Sequence, residues 1–161
     1  IYTLLMAKKI LIALDDSENA GRAVDFVADG FDKNSDVTLL SVVQDTQTMC
    51  AMNSPELTPY FQSEQNAFCS LEDKKKQLIE KAAKTGKHCL VDAGFDENRI
   101  NVKAERRSKS VAKDIISEAD SGYDLVVIGR KGVSGVQEFL FGSVSQKVLH
   151  GVKSASVLIV T

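Results

Sequence analysis

Four short apolar runs punctuate the chain: Ile10-Leu11-Ile12-Ala13-Leu14, Val37-Thr38-Leu39-Leu40-Ser41-Val42-Val43, Leu125-Val126-Val127-Ile128 and Val157-Leu158-Ile159-Val160. Each is rich in β-branched residues and nearly continuous rather than alternating. That pattern marks strands covered on both faces, and hence a parallel sheet. A fifth run, Ile100-Asn101-Val102-Lys103-Ala104, alternates, which suits a sheet edge with one wetter face. Between the runs, apolar residues recur at helical spacing: Ala20, Val24, Val27 and Phe31; Phe68, Leu71, Leu78 and Ala82; Val111, Ile115 and Ala119; and Val144 with Val148. Strands alternating with helices predict right-handed βαβ crossovers and a doubly wound α/β sheet. The segment Gln44–Tyr60 breaks the rhythm. It holds both prolines, Pro55 and Pro59, among Asn53, Ser54 and Thr58, and reads as a long surface loop after the second strand. The run Glu72-Asp73-Lys74-Lys75-Lys76 reads as the solvated face of the long helix rather than a binding patch.

Composition narrows the partners more than it changes the fold. The 161 residues, 43 % hydrophobic and 26 % charged, fit one domain over 1–161. A net charge of −2 gives no general attraction for nucleic acid or anionic lipid. No apolar run approaches the roughly 20 residues that a bilayer span requires. Neither a nucleic acid nor a membrane is therefore expected as a partner. Ile1-Tyr2-Thr3-Leu4-Leu5 lacks the charged-then-apolar order of a signal peptide; Met6 reads as a natural start, and residues 1–5 as a non-native or flexible extension. Cys50, Cys69 and Cys89 are odd in number and show no CxxC spacing, so they are read as ordinary thiols of a reducing, cytoplasmic compartment. His88 and His150 lie far apart, which argues against a zinc site.

Two places carry chemistry. The first strand ends Ala13-Leu14-Asp15-Asp16-Ser17, and open parallel sheets bind ligands beyond the carboxyl ends of their strands. The Asp15 carboxylate is placed to accept hydrogen bonds from ribose hydroxyls or to approach a phosphate-bound Mg²⁺. The alternative is that Asp16 or Ser17 caps the next helix and Asp15 is turn chemistry only. The second place is Gly129-Arg130-Lys131-Gly132-Val133-Ser134-Gly135, directly after the fourth strand. Glycines let successive backbone N–H groups close on an anion, and Arg130 and Lys131 add positive charge. Further on, Ser143 and Gln146 have capping-box spacing, which predicts a helix beginning at Ser143. The N–H groups of that first turn and the Ser143 and Ser145 hydroxyls would add phosphate donors. The loop is neither a Walker A sequence nor G-x-G-x-x-G, and its chemistry alone leaves phosphate binding and a tight turn both open.

Taken together, Gly129-x-x-Gly132, nine residues, and Gly142-Ser143 resemble the G-2x-G-9x-G-[ST] signature of the ATP-binding universal stress proteins. Lys8–Ser17 is similar to that family's first strand with its aspartate, and Val152–Val160 to its last strand; the likeness runs nearly the whole chain from Met6. The resemblance implies a Rossmann-like, five-stranded parallel sheet of order 3-2-1-4-5. It implies Asp15 at the ribose and phosphates of a bound ATP, ADP or AMP, with Ala13 and Leu14 beside the base and Val42 touching adenine through its backbone. Gly129, Gly132, Gly142, Ser143, Val144 and Ser145 would hold the phosphates, with Arg130 beside them and Mg²⁺ possible near Asp15. Leu14 departs from the small or polar residue that many members carry there, which would narrow the adenine side. Members commonly form homodimers through the last strand, here Val157–Val160; an unidentified protein partner is a further expectation. A regulatory nucleotide-binding module is favoured over an enzyme, because no general base or water-positioning residue accompanies the loop. A slow ATPase or self-phosphorylating enzyme, and a dimer that binds no nucleotide, stand as the alternatives.

Overall fold

The computed structural model describes residues 8–15, 17–52, 58–130 and 142–161. In chain order they form β1 (Lys9–Ala13), α1 (Glu18–Gly30), β2 (Asp36–Val43), α2 (Gln47–Ala51), α3 (Pro59–Asp92), β3 (Ile100–Arg106), α4 (Val111–Ala119), β4 (Leu125–Gly129), α5 (Ser143–Gly151) and β5 (Ser156–Val160). The strands make one parallel sheet of order β3-β2-β1-β4-β5, as expected.

The near-continuous apolar runs are explained by what covers them. Successive side chains of a strand point to opposite faces. Ile10, Ile12, Val37, Leu39 and Val127 enter a core layer shared with α1 and α3. Leu11, Ala13, Leu40, Val126 and Ile128 enter a second layer shared with α4 and α5. Ile10, Leu11, Ile12, Leu39, Val126 and Val127 are wholly buried. The alternating fifth run becomes β3, at the sheet edge beside β2. Lys103 of β3 donates to Glu118 of α4 at 2.6 Å, and Glu118 also accepts from the Tyr123 hydroxyl at 2.9 Å, so the edge is tied to the helix layer. Gly94 (φ +104°) and Gly122 (φ +119°) take left-handed conformations in the turns after α3 and α4, where a Cβ would be strained.

Three expectations need correction. First, Gln44–Tyr60 is not one long loop: α2 interrupts it, and Pro59 opens α3 at the first helical position, where its missing N–H has no intrahelical partner to lose. Pro55 lies outside the described residues, as do residues 1–5. Second, Phe68, Leu71 and Leu78 are not the core stripe of the long helix. They are 37, 65 and 53 % exposed, and the buried stripe is Ile79, Ala83, Gly86 and Leu90. A 34-residue helix spans about 51 Å, longer than the sheet is deep, so only its C-terminal part meets the strands. Third, the cysteines are not all free thiols. Folding α2 back on α3 brings Cys50 and Cys69 to a Cα separation of 5.9 Å, where they form a disulfide. The compartment inferred from three free thiols loses that support. Cys89 stays free and donates to the Asp25 carboxylate at 3.3 Å. Burial, with Asp25 beside it, pushes the Cys89 thiol up to about 11.

The return into β5 is fastened by one carboxylate. Asp120, at the end of α4, accepts from the Lys153 and Ser154 amides at 3.0 Å each and from the Ser154 hydroxyl at 2.8 Å. These bonds, the Ser154 amide foremost, hold its carboxyl below the ordinary carboxylate value. A depressed folded pKa stabilises fully above the unfolded value of about 3.9, and that stabilisation is lost as pH falls through the folded pKa. Asp120→Asn should therefore lower the urea midpoint at pH 7 and show a shallower loss of stability as pH falls below about 4. Parallel acid limbs for the two proteins would refute the assignment.

Candidate functional site

The site is set by where the winding reverses. β1 and β4 lie side by side, with Ala13 opposite Ile128. The chain leaves β1 into α1 on one face of the sheet, while α5 follows β4 on the other. Neither crossover covers the space beyond the two strand ends, and a cleft remains there. Its described walls are Ala13, Leu14, Asp15, Ser17 and Ala20 from the first turn, Ile128 and Gly129 from β4, Gly142–Ser145 from α5, and Val111 and Ile115 from α4.

The two readings of the β1–α1 turn prove compatible. Ser17 caps α1, its hydroxyl accepting from the Ala20 amide at 3.3 Å. Asp15 accepts from the Ser17 amide at 2.8 Å, so one carboxylate oxygen is spent on the turn while the side chain, half-buried, lines the cleft. Leu14 is buried, and its amide donates to the Leu40 carbonyl at 2.8 Å. Asp15 is the one acidic residue among the described cleft walls. Among the described residues no three His, Cys, Asp or Glu side chains converge on a point.

α5 starts at Ser143 as predicted, but the capping box does not form. Gly142 holds the N-cap position (φ −59°, ψ 152°), and no side chain caps the helix. Ser143 instead occupies the first helical position with its side chain exposed. A glycine N-cap leaves the first-turn N–H groups without a side-chain acceptor, and such a helix end attracts anions. Ser145 is buried, and its hydroxyl donates to the Gly142 carbonyl at 3.4 Å; Val144 packs half-buried on the core. The backbone N–H of Arg130 continues the β4–β5 pairing, donating to Val160 at 2.7 Å. Gly132, Lys131 and Asp16 lie outside the described residues.

Gly129 has a role unrelated to any ligand. A Cβ built there would collide with the Asn19 carbonyl of α1 and lie 2.9 Å from the Ala20 nitrogen. The end of β4 and the first turn of α1 can touch only because residue 129 has no side chain.

Val42 is not in this cleft. It lines an adjoining hollow with Gln44, Thr46 and Arg107, and Val111 forms the shared wall. Val111 is held there by Asp114, a buried carboxylate that accepts from the Ser108 hydroxyl at 2.7 Å and amide at 2.9 Å. The Ser108 hydroxyl foremost holds the Asp114 carboxyl below its ordinary value, fixing the loop from β3 into α4. Sequence reasoning missed Asp114 and Arg107, and took Val111 and Ile115 for core alone. Helical periodicity marks which residues face inward but not which of them border a cleft.

Residues 6–161 match the universal stress protein family. Universal stress protein YxiE of Bacillus subtilis (strain 168) is 25 % identical over 157 residues, covering 96 % of this chain and 99 % of its own. Among solved structures, hypothetical protein MJ0577 matches at TM-score 0.68 and 25 % identity, with 96 % of each chain covered. A universal stress protein in complex with cAMP shares the fold at TM-score 0.62 and 20 % identity, over 97 % of this chain and 99 % of that one.

The Gly129–Asn19 contact predicts that Gly129→Ala lowers the stability of the ligand-free protein by about 1–3 kcal/mol, measured by urea denaturation. An unchanged midpoint would mean that α1 shifts aside freely.

Proposed function

The chain belongs to the universal stress protein family, and from that premise we propose that it is a nucleotide-responsive regulatory module of the stress response that binds ATP, or ADP or AMP in the same place, in the cleft between β1, β4 and α5. The observation that carries this reading is the uncapped N-terminus of α5, which opens at the topological switch point opposite Asp15. The spacing of Gly129, Gly132, Gly142 and Ser143 adds to it. In this reading the first-turn amides of α5, with Ser143, Val144 and Ser145, face the phosphates. Gly129 and Gly132 let the backbone approach, and Arg130 lends charge. Asp15 receives the ribose, and its carboxylate lies nearest to any Mg²⁺ that the phosphates carry. The base rests against Ala13 and Leu14 and extends past Val111 toward Val42. That a relative of the same fold was solved with cAMP supports a nucleotide in this architecture.

Binding is favoured over rapid hydrolysis. Phosphoryl transfer to water needs a residue that positions the nucleophile. Among the described cleft walls the only carboxylate is Asp15, already engaged by the Ser17 amide. Single-turnover release of γ-phosphate at about 1 s⁻¹ or faster would favour the enzyme instead. A homodimer through β5 fits the same reading: β5 is an edge strand whose Val157, Leu158 and Ile159 are only half-buried, an edge suited to pairing with a second copy.

Gly142→Val places a branched side chain at the N-cap, where backbone would meet phosphate. ATP affinity by calorimetric titration should fall more than tenfold, above about 1.4 kcal/mol, with far-UV circular dichroism unchanged. If the wild-type protein neither releases adenine nucleotide on heating nor binds added ATP, the reading fails.

A further inference from the structure

The N-terminal part of α3 lies outside the core. Its buried residues all fall from Ile79 onward, so the 20 residues 59–78, about 30 Å of helix, bury none. Yet this stretch exposes Phe61, Phe68, Leu71 and Leu78, from 37 to 65 %. Single exposed apolar residues are ordinary, but a stripe of four large ones along one helix marks an interaction surface. Their spacings are seven, three and seven, the a and d positions of a heptad repeat. The two remaining a and d positions within the stretch are Glu64 and Lys75, both exposed.

We propose that this seam joins two copies of the chain, their α3 helices packed antiparallel. In antiparallel coiled coils an a residue faces a d residue of the other helix. A single two-fold axis passing between Cys69 and Ser70 then sets every layer at once. Phe61 faces the partner's Leu78, Glu64 faces the partner's Lys75, and Phe68 faces the partner's Leu71. All four apolar layers set a ring against a leucine, and both polar layers set an acid against a base. The parallel arrangement in register would put Glu64 on the partner's Glu64 and Lys75 on the partner's Lys75. The charges therefore select the antiparallel pair by repelling the other. The contacts that hold α2, the Cys50–Cys69 disulfide and the bonds from Gln65 to the Met49 and Met52 carbonyls, are made from b and e positions of α3 rather than from a and d. This surface is separate from the β5 edge; at its C-terminal end Lys75 also lines the hollow beside Val42, and Leu78 a hollow with Leu14 and Ser17.

Charge reversal tests it in a cycle of exposed residues. Because of the two-fold, Glu64→Lys alone, or Lys75→Glu alone, places like charges in both polar layers. Each should weaken association by about tenfold in dissociation constant, measured by sedimentation equilibrium. The double variant Glu64→Lys/Lys75→Glu should return to within about threefold of wild type. Leu71→Lys should remove the association, with helix content unchanged by circular dichroism. Any pairing through β5 remains in all variants, so the seam is read as the assembly step that these changes alone move. The proposal is overturned if wild type and Leu71→Lys have the same mass across the concentration series, which would leave the seam to a different protein. It is also overturned if the double variant is no tighter than either single one.

Discussion

The pairing of β1 with β4 at the centre of the sheet governs the rest of the structure. β1 is flanked by strands on both sides and helices on both faces, so its residues from Ile10 to Ala13 must be apolar. Because its parallel neighbours are β2 on one side and β4 on the other, the winding must reverse between them. A parallel sheet that reverses its winding leaves the space over those strand ends free of crossovers. The cleft follows from that geometry before any particular residue is considered. What the residues decide is its chemistry: an aspartate at one strand end, and on the other side a helix whose N-cap is a glycine.

The same pairing explains why one glycine serves two purposes. β4 must end close beneath the first turn of α1, because both border the switch point. Residue 129 is where they meet, and the Asn19 carbonyl occupies the volume of a side chain there. A glycine motif read only as phosphate chemistry thus contains a packing constraint. The constraint sets the distance between the α1 turn, which carries Asp15, and the end of β4. Loss of the glycine would move the two walls of the cleft apart before any ligand entered it.

Much of this was legible in the sequence. The strands, the edge position of β3 and the start of α5 at Ser143 follow from local patterns that tertiary contacts reinforce, while the strand order came from the family resemblance. Failures occurred where a pattern depended on what lay far away in the chain. Phe68, Leu71 and Leu78 have the periodicity of a core stripe, but nothing in it says that the helix outruns the sheet. The Cys50–Cys69 pair could not be read from spacing, since it depends on α2 folding back along α3. At the site, Ser143 and Gln146 had the right separation for a capping box, yet Gly142 holds the cap and Ser143 is the first helical residue. Val111 and Asp114 were hidden because a cleft wall and a core face share the same apolar periodicity.

The sulfur chemistry of the chain divides unevenly among its three cysteines. The thiolate is the nucleophile, and a thiol pushed up to about 11 is almost wholly protonated at neutral pH. Cys89, between α1 and α3 with Asp25 as acceptor, acts as a hydrogen-bond donor and a packing atom, and burial with Asp25 beside it makes it a poor nucleophile at neutral pH. Among the cysteines, thiol–disulfide chemistry therefore rests with the one bond between Cys50 and Cys69, and its physical meaning is how firmly α2 is moored to α3.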